Sequence, residues 1–212
     1  MIRIADGRKE ENWSSINIII DIFRSTTTIP VILSRGARYI VPFKDVTSAL
    51  NFKRKNKNVV LIGEKYGIKP PFFDYDNSPA QIINADLEGK IIAFTSTNGM
   101  YVLSRIKRGR ILFSSLVNMS ATIKKVKGKD DILVVPSNRP IGKAVEDNIF
   151  AEMLKLALEG KNYDREILVN RIRETKENTV VSISTQDLEI CLKLDLLDCV
   201  PEYIEGKIVN DP

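Results

Sequence analysis

Ile16-Asn17-Ile18-Ile19-Ile20-Asp21-Ile22-Phe23-Arg24-Ser25-Thr26-Thr27-Thr28 is the stretch whose reading decides the fold. Its first five residues are β-rich and almost continuously apolar, the pattern of a strand buried on both faces in a helix-covered parallel sheet. Asp21 then stands at the strand's carboxyl end, and the polar run after it turns into a helix. Helix N-termini carry unpaired N–H groups, to which Arg24, Ser25 and Thr26 add a guanidinium fork and hydroxyls. Such a strand end suits an oxygen-rich anion, phosphate or sulfonate. Asp21 would repel that ligand unless a divalent cation lay between them or the carboxylate itself attacked phosphorus. Both routes lead to metal-assisted phosphoryl chemistry. The plainer alternative is a capped helix start with a surface Asp-Arg pair.

Outward from this stretch, strand-like runs recur at Tyr39-Val41, Asn58-Ile62, Lys90-Phe94, Arg110-Phe113, Ile132-Val135 and Val180-Ile183. Helical patterns fall at Thr26-Leu33, Val46-Arg54, Tyr101-Ile106, Met119-Val126, Lys143-Leu158 and Glu166-Glu174. The alternation predicts a three-layer α/β/α fold with a mostly parallel central sheet, with room for a small appended α/β subdomain. Residues 1–212 read as one domain whose N- and C-terminal parts are candidate subdomains. Beyond Asp195 the chain reads as a short closing strand or arm. The exception to the rhythm is Gly63 to Pro79, a long loop with two glycines and three prolines directly after a strand. Loops of this length in compact domains are often functional.

Composition narrows the function. With no histidine among 212 residues, Ser-His-Asp hydrolysis, phosphohistidine chemistry, His-rich two-metal phosphoesterases and most zinc catalysis are excluded. Carboxylates must therefore bind metal or carry protons, and oxygen ligands point to Mg2+. The net charge of +5 is modest, and the lysine clusters at 53–57 and 124–129 lie at expected helix ends without interleaved aromatics. Nucleic-acid binding is therefore not expected. No apolar run is long enough to span a bilayer or resembles a signal peptide, and Cys191 and Cys199 read as a buried reduced pair; cytoplasmic residence is the expectation.

In an α/β sheet, loops leaving neighbouring strands converge on one crevice. Three polar exits qualify: Asp21 with Arg24, Ser25, Thr26 and Thr27; the loop from Glu64 through Asp74, Asn77 and Ser78; and Thr95-Ser96-Thr97-Asn98-Gly99. A fourth, Pro136-Ser137-Asn138-Arg139, precedes a helix opening with Glu146-Asp147. Asn77, Ser78, Thr97 and Asn98 supply donors for phosphate oxygens, Gly99 permits close backbone approach, and Glu64 and Asp74 add carboxylates for a cation or water. Each has a plain reading as turn, cap or surface residue; their coincidence at strand ends makes the site. Asp74-Tyr75-Asp76 imitates the Asp-x-Asp of haloacid-dehalogenase-type phosphatases, but Pro70-Pro71 argue against a central strand before it.

These blocks resemble the 2-phosphosulfolactate phosphatase family, the ComB-like enzymes of coenzyme M biosynthesis, from about Asn17 to Val209. Ile20-Asp21-Ile22-Phe23-Arg24-Ser25-Thr26 is similar to the family's Asp-Val-Leu-Arg-Ala-Thr. Gly63-Glu64 and Phe73-Asp74-Tyr75-Asp76-Asn77-Ser78-Pro79 resemble its Gly-Glu and Gly-Phe-Asp-x-Gly-Asn-Ser-Pro. Thr95-Ser96-Thr97-Asn98-Gly99 resembles its Thr-Thr-Asn-Gly turn, and Val145-Glu146-Asp147 its late Glu-Asp. The resemblance implies an Mg2+-dependent enzyme releasing phosphate from 2-phospho-3-sulfolactate, a small anionic phosphoester, without nucleic acid or membrane, and compatible with a homodimer. It implies Asp21, Arg24 and Asp74 as catalytic residues and Asp21, Glu64, Asp74 and Asp147 around the metal. Arg24, Ser25, Thr26, Thr27, Asn77, Ser78, Thr97, Asn98, Gly99 and Arg139 would bind substrate. Asp21 as metal ligand or as nucleophile stays open, and so do another small phosphorylated acid as substrate and a non-catalytic anion-binding role. Phe72, Asp76, Met100 and Ser137-Asn138 depart from the family pattern, and Asp76 brings a negative charge to the expected anion site.

Overall fold

The computed structural model describes residues 1–178 and 183–210. In chain order its elements are β1 (Ile2–Ile4), β2 (Ile16–Ile20), α1 (Ser25–Ser34), β3 (Tyr39–Phe43), α2 (Val46–Lys55), β4 (Val59–Gly63), α3 (Pro79–Ile82), β5 (Ile91–Thr95), α4 (Gly99–Leu103) and β6 (Arg110–Phe113). There follow α5 (Met119–Val126), β7 (Ile132–Pro136), α6 (Val145–Leu158), α7 (Arg165–Glu174), α8 (Thr185–Cys191), β8 (Pro201–Ile204) and β9 (Lys207–Asn210).

The described strands form one sheet in the order β1-β7-β2-β6-β8-β9-β3-β5-β4. β2 pairs in parallel with β6 on one side and β7 on the other, so its whole span is buried, as a continuous apolar run requires. The polar interruption, Asn17, is satisfied in place: its Oδ1 accepts from Ser14 N, and its Nδ2 donates to Ser14 O and Arg108 O, each at 3.0 Å. Two parallel blocks are joined by the antiparallel hairpin of β8 and β9, among the described residues the only strands that break the parallel rule.

Alternate residues of the strands face opposite layers. Ile19, Phe113 and Val135 pack with Ile29 and Ile32 of α1, Ile82 of α3 and Val102 of α4. Ile18, Ile20 and Val134 face Met119 of α5, Phe150 and Met153 of α6 and Leu188 of α8. Ala49 of α2 covers Leu61 and Ala93 in a smaller cluster. Each fully buried isoleucine contributes roughly 1.5–3 kcal/mol of transfer free energy, and Ile19→Ala would cost about 2–5 kcal/mol.

The expected helix at Tyr101-Ile106 lies earlier, at Gly99–Leu103, because the Gly99 N–H is taken by a side chain and starts the turn there. The Gly63-to-Pro79 loop is fastened by bridges Ile62–Tyr75 and Lys65–Ile68 and ends in α3, capped by Ser78 accepting from Gln81 N. The short β1 and the helix α8 escaped the sequence pattern. The expected strand Val180-Ile183 falls outside the described residues except for Ile183, which lies in no strand.

Candidate active site

Asp21 ends β2 and is buried. Its Oδ2 accepts from Ser25 Oγ and, at 3.0 Å, from Gly99 N, while its Oδ1 has no donor among the described residues. The turn is closed by its own hydroxyls: Asp21 N donates to Thr26 Oγ1 at 3.0 Å, and Thr27 Oγ1 donates to Ile22 O at 3.1 Å. Thr26 and Thr27, expected as substrate donors, are thus spent on the backbone, and neither lines the crevice. Ser25 serves the carboxylate. Gly99 has no room for a side chain, because a Cβ there would lie 2.5 Å from Ser25 Oγ and 3.1 Å from Asp21 Oδ2.

The first turn of α6 brings Glu146 and Asp147 to the same place, both buried. Asp147 Oδ1 accepts from Ile22 N at 2.9 Å, which docks the helix start against the exit of β2. Glu146 Oε1 accepts from Arg139 Nη2 at 2.5 Å. Burial pushes the Asp21 carboxyl up to about 6, against the Ser25 hydrogen bond and with help from the charge of Glu64. Asp147 is raised well above the ordinary range by burial and then by the charges of Glu146 and Asp21. Burial raises Glu146 too, despite Arg139.

The crevice has two connected compartments sharing Asp21, Phe23, Arg24, Asn98 and Arg139. The inner one, about 20 Å3, adds Glu146, Asp147, Ala144 and Ile183. The outer one, about 410 Å3, adds Glu64, Asn77 and Thr97 on one side, and Tyr66, Pro140 and Ile141 as apolar wall. Asn77 is buried with Oδ1 lacking a partner among the described residues.

Arg24 is buried between two carboxylates, its Nη1 3.0 Å from both Asp76 Oδ2 and Asp187 Oδ2. Burial works against the guanidinium, and the charges of Asp76 and Asp187 outweigh it, so its pKa is raised. Ser78 lines neither of these two compartments; its Oγ donates to Asp187 Oδ1 at 2.6 Å. Glu64 accepts from Gly67 N at 2.6 Å, Thr97 N at 2.5 Å and Thr97 Oγ1 at 2.8 Å, which makes it the fastener of the long loop as well as a lining residue.

Asp74 is not brought to this cluster. Its Oδ2 accepts from Lys53 Nζ and from Leu61 N, each at 2.7 Å, on the outer side of β4. Asp74, expected as a catalytic and metal-binding residue, thus lies at the strand edge and lines neither compartment, whereas Glu146 lines the inner one. Two further residues were missed. Asp187 of α8 holds Arg24, and Arg8, just after β1, bonds Asn98 Oδ1 at 2.8 Å. Neither sits in a motif; Glu146 had a signal, its place beside Asp147 in a first helical turn.

The inner compartment is where carboxylates gather. Three buried carboxylates line this small space, their pKa values raised chiefly by burial and, for Asp147, next by the charges of Glu146 and Asp21; their oxygens are the donor type a hard cation such as Mg2+ takes. Among the described residues, as they stand, no group of three or more acidic or thiol side chains could hold a metal ion.

Comparison with known proteins bears on this geometry. The sequence model of the family described as 2-phosphosulpholactate phosphatase matches residues 2–206. A protein of Thermoplasma acidophilum named probable 2-phosphosulfolactate phosphatase is 58% identical over 212 residues, covering 100% of this chain and 96% of its own. Proteins of the same name from Carboxydothermus hydrogenoformans and Thermotoga petrophila are 33% and 31% identical, covering 91% of this chain and 88% and 90% of theirs.

Proposed function

The chain belongs to the 2-phosphosulfolactate phosphatase family, and we propose that it hydrolyses 2-phospho-3-sulfolactate to 3-sulfolactate and phosphate with Mg2+ as cofactor. The observation that carries this reading is the paired compartment: an inner space walled by Asp21, Glu146 and Asp147, opening into an outer one lined by Arg24, Asn77, Asn98 and Arg139. Carboxylates for a cation lie beside donors for an oxyanion, with Asp21 at their junction.

Asp21, Glu146 and Asp147 would hold Mg2+. When bound, the cation supplies the positive charge that offsets these carboxylates and polarises the phosphoryl group. Arg24 and Arg139 offer guanidinium donors to phosphate or sulfonate oxygens, and Asn77 and Asn98 add amide groups. In the reaction a water oxygen bonds to phosphorus as the bond from phosphorus to the ester oxygen breaks, and the released alkoxide gains a proton. The water's proton passes to a carboxylate of the site, and an Asp21 Oδ1 free of described protein donors supports Asp21 either as that acceptor or as a ligand of the cation. The buried free thiols Cys191 and Cys199 support a cytoplasmic setting; no described helix is long and apolar enough to cross a membrane.

A second reading is hydrolysis of another small phosphorylated acid. It is favoured by Asp76 and Asp187, which together offset more charge than Arg24 carries, and by the apolar wall of Phe23, Tyr66, Pro140 and Ile141. Phosphate release from 2-phospho-3-sulfolactate, phospholactate and an aryl phosphate, measured side by side, separates the two. Turnover confined to the sulfonated ester supports the first; preference for phospholactate supports the second.

A further inference from the structure

Arg8 lies outside every block that marks the family in the sequence, yet it reaches both loops that frame the cavity. Its Nη2 donates to Asn98 Oδ1 at 2.8 Å, in the turn after β5, and its Nε donates to Asn138 O at 3.2 Å, in the turn after β7. Three features hold it there. The backbone before it continues β1 along β7, with Ala5 N donating to Val134 O and Gly7 N to Pro136 O, both at 3.1 Å. Gly7 sits so tightly that a Cβ would lie 2.8–2.9 Å from Val102 and Val135 side-chain carbons. The guanidinium also stacks on the Tyr101 ring, 4.6 Å from its centroid, which fixes the plane of the fork.

Arginine has donors and no acceptor, so the Asn98 atom facing it must be the amide oxygen. The Asn98 Nδ2 group is then turned the other way. No described residue accepts from it, and Asn98 lines both compartments. The second contact fixes the backbone immediately before Arg139, whose guanidinium lies in the same cavity wall.

We propose that Arg8 is a positioning residue for oxyanion recognition: by holding Asn98 Oδ1 and Asn138 O it aims the Asn98 Nδ2 donors into the cavity and sets the stance of Arg139. The inference rests on the reading of the outer compartment as an anion site, and makes the N-terminal segment part of the specificity apparatus.

The test is a double-mutant cycle on the full chain, with inorganic phosphate as probe. Its Kd is measured by calorimetry in the presence of Mg2+ for wild type, Arg8→Ala, Asn98→Ala and the double variant, alongside KM and kcat. Arg8→Ala is expected to weaken phosphate binding by about tenfold, the loss of one aligned charge-assisted contact, and to raise KM more than it lowers kcat. The double variant should lose clearly less than the sum of the two single losses, since Arg8 acts in part through Asn98. Arg8→Lys keeps the charge without the fork and should share the defect; it carries the same cycle if Arg8→Ala does not fold. Additive losses, an unchanged Kd in Arg8→Ala or Arg8→Lys, or no phosphate binding by wild type would overturn the proposal. Absence of turnover with 2-phospho-3-sulfolactate in a wild type that binds phosphate would instead count against the substrate reading alone.

Discussion

The Asp21 carboxylate accepts the Gly99 amide at 3.0 Å, tying the end of β2 to the start of α4 although β2 and β5 stand five places apart in the sheet. That bond joins the two parallel blocks at the crevice. It also fixes Oδ2, leaving Oδ1 as the oxygen with chemical freedom.

Gly99→Ala should therefore damage the site and the fold together. Its Cβ would overlap Ser25 Oγ and press on Asp21. A loss of about 1–3 kcal/mol in urea unfolding is expected, the usual cost of overpacking, accompanied by a fall in phosphatase rate. Wild-type stability and rate in this variant would show that the junction is more yielding than its geometry implies.

Asp21→Asn should reduce Mg2+ affinity in calorimetry and lower the rate of phosphate release by at least about 100-fold, the scale of a missing proton acceptor or charge partner. Asparagine keeps an oxygen for Ser25 and Gly99, so the fold should persist by circular dichroism. Unchanged Mg2+ affinity and rate would remove Asp21 from the mechanism.

Arg24 is shared between Asp76 and Asp187, so relieving one carboxylate should strengthen its hold on an anion. Asp76→Asn is expected to tighten inorganic phosphate binding severalfold in calorimetry. Arg24→Ala should do the opposite and also destabilise, by about 3–5 kcal/mol, because Asp187 is buried and would lose its cation. Weaker phosphate binding in Asp76→Asn would mean that Asp76 orients Arg24 more than it competes for it.

Stability without metal should fall with rising pH. Asp21 titrates near 6 in the folded protein against an ordinary value of 3.8. A raised acid pKa is without penalty at low pH, where both states are protonated, and costs stability as pH rises from the unfolded value to the folded one. The loss from Asp21 amounts to roughly 3 kcal/mol between about pH 4 and 6, and Asp147 and Glu146 shift in the same direction. Urea unfolding at pH 4.5 and 7.5 with chelator should reveal it, and Mg2+ should restore stability at the higher pH. A chelated protein more stable at pH 7.5 would contradict the cost of ionising these buried carboxylates.

The sequence displayed the frame of this site more clearly than its occupants. β2 was legible because burial on both faces leaves an apolar run, and Asp21 because it ends that run. Thr26 and Thr27 misled because a hydroxyl that closes a helix start has the same composition as one that meets a ligand. Asp74 misled for a similar reason: in a loop, nothing local tells a carboxylate aimed at the crevice from one paired with Lys53 across a strand edge. Arg8 and Asp187 were invisible because their partners lie 90 and 163 residues away, a separation only the folded sheet closes.

The initial rate of phosphate release from 2-phospho-3-sulfolactate by the wild-type protein, before and after chelation and again on adding back Mg2+, tests the central claim most directly. The account predicts turnover that is lost with chelator and recovered with Mg2+. Turnover indifferent to chelation, or none in the presence of Mg2+, would contradict it.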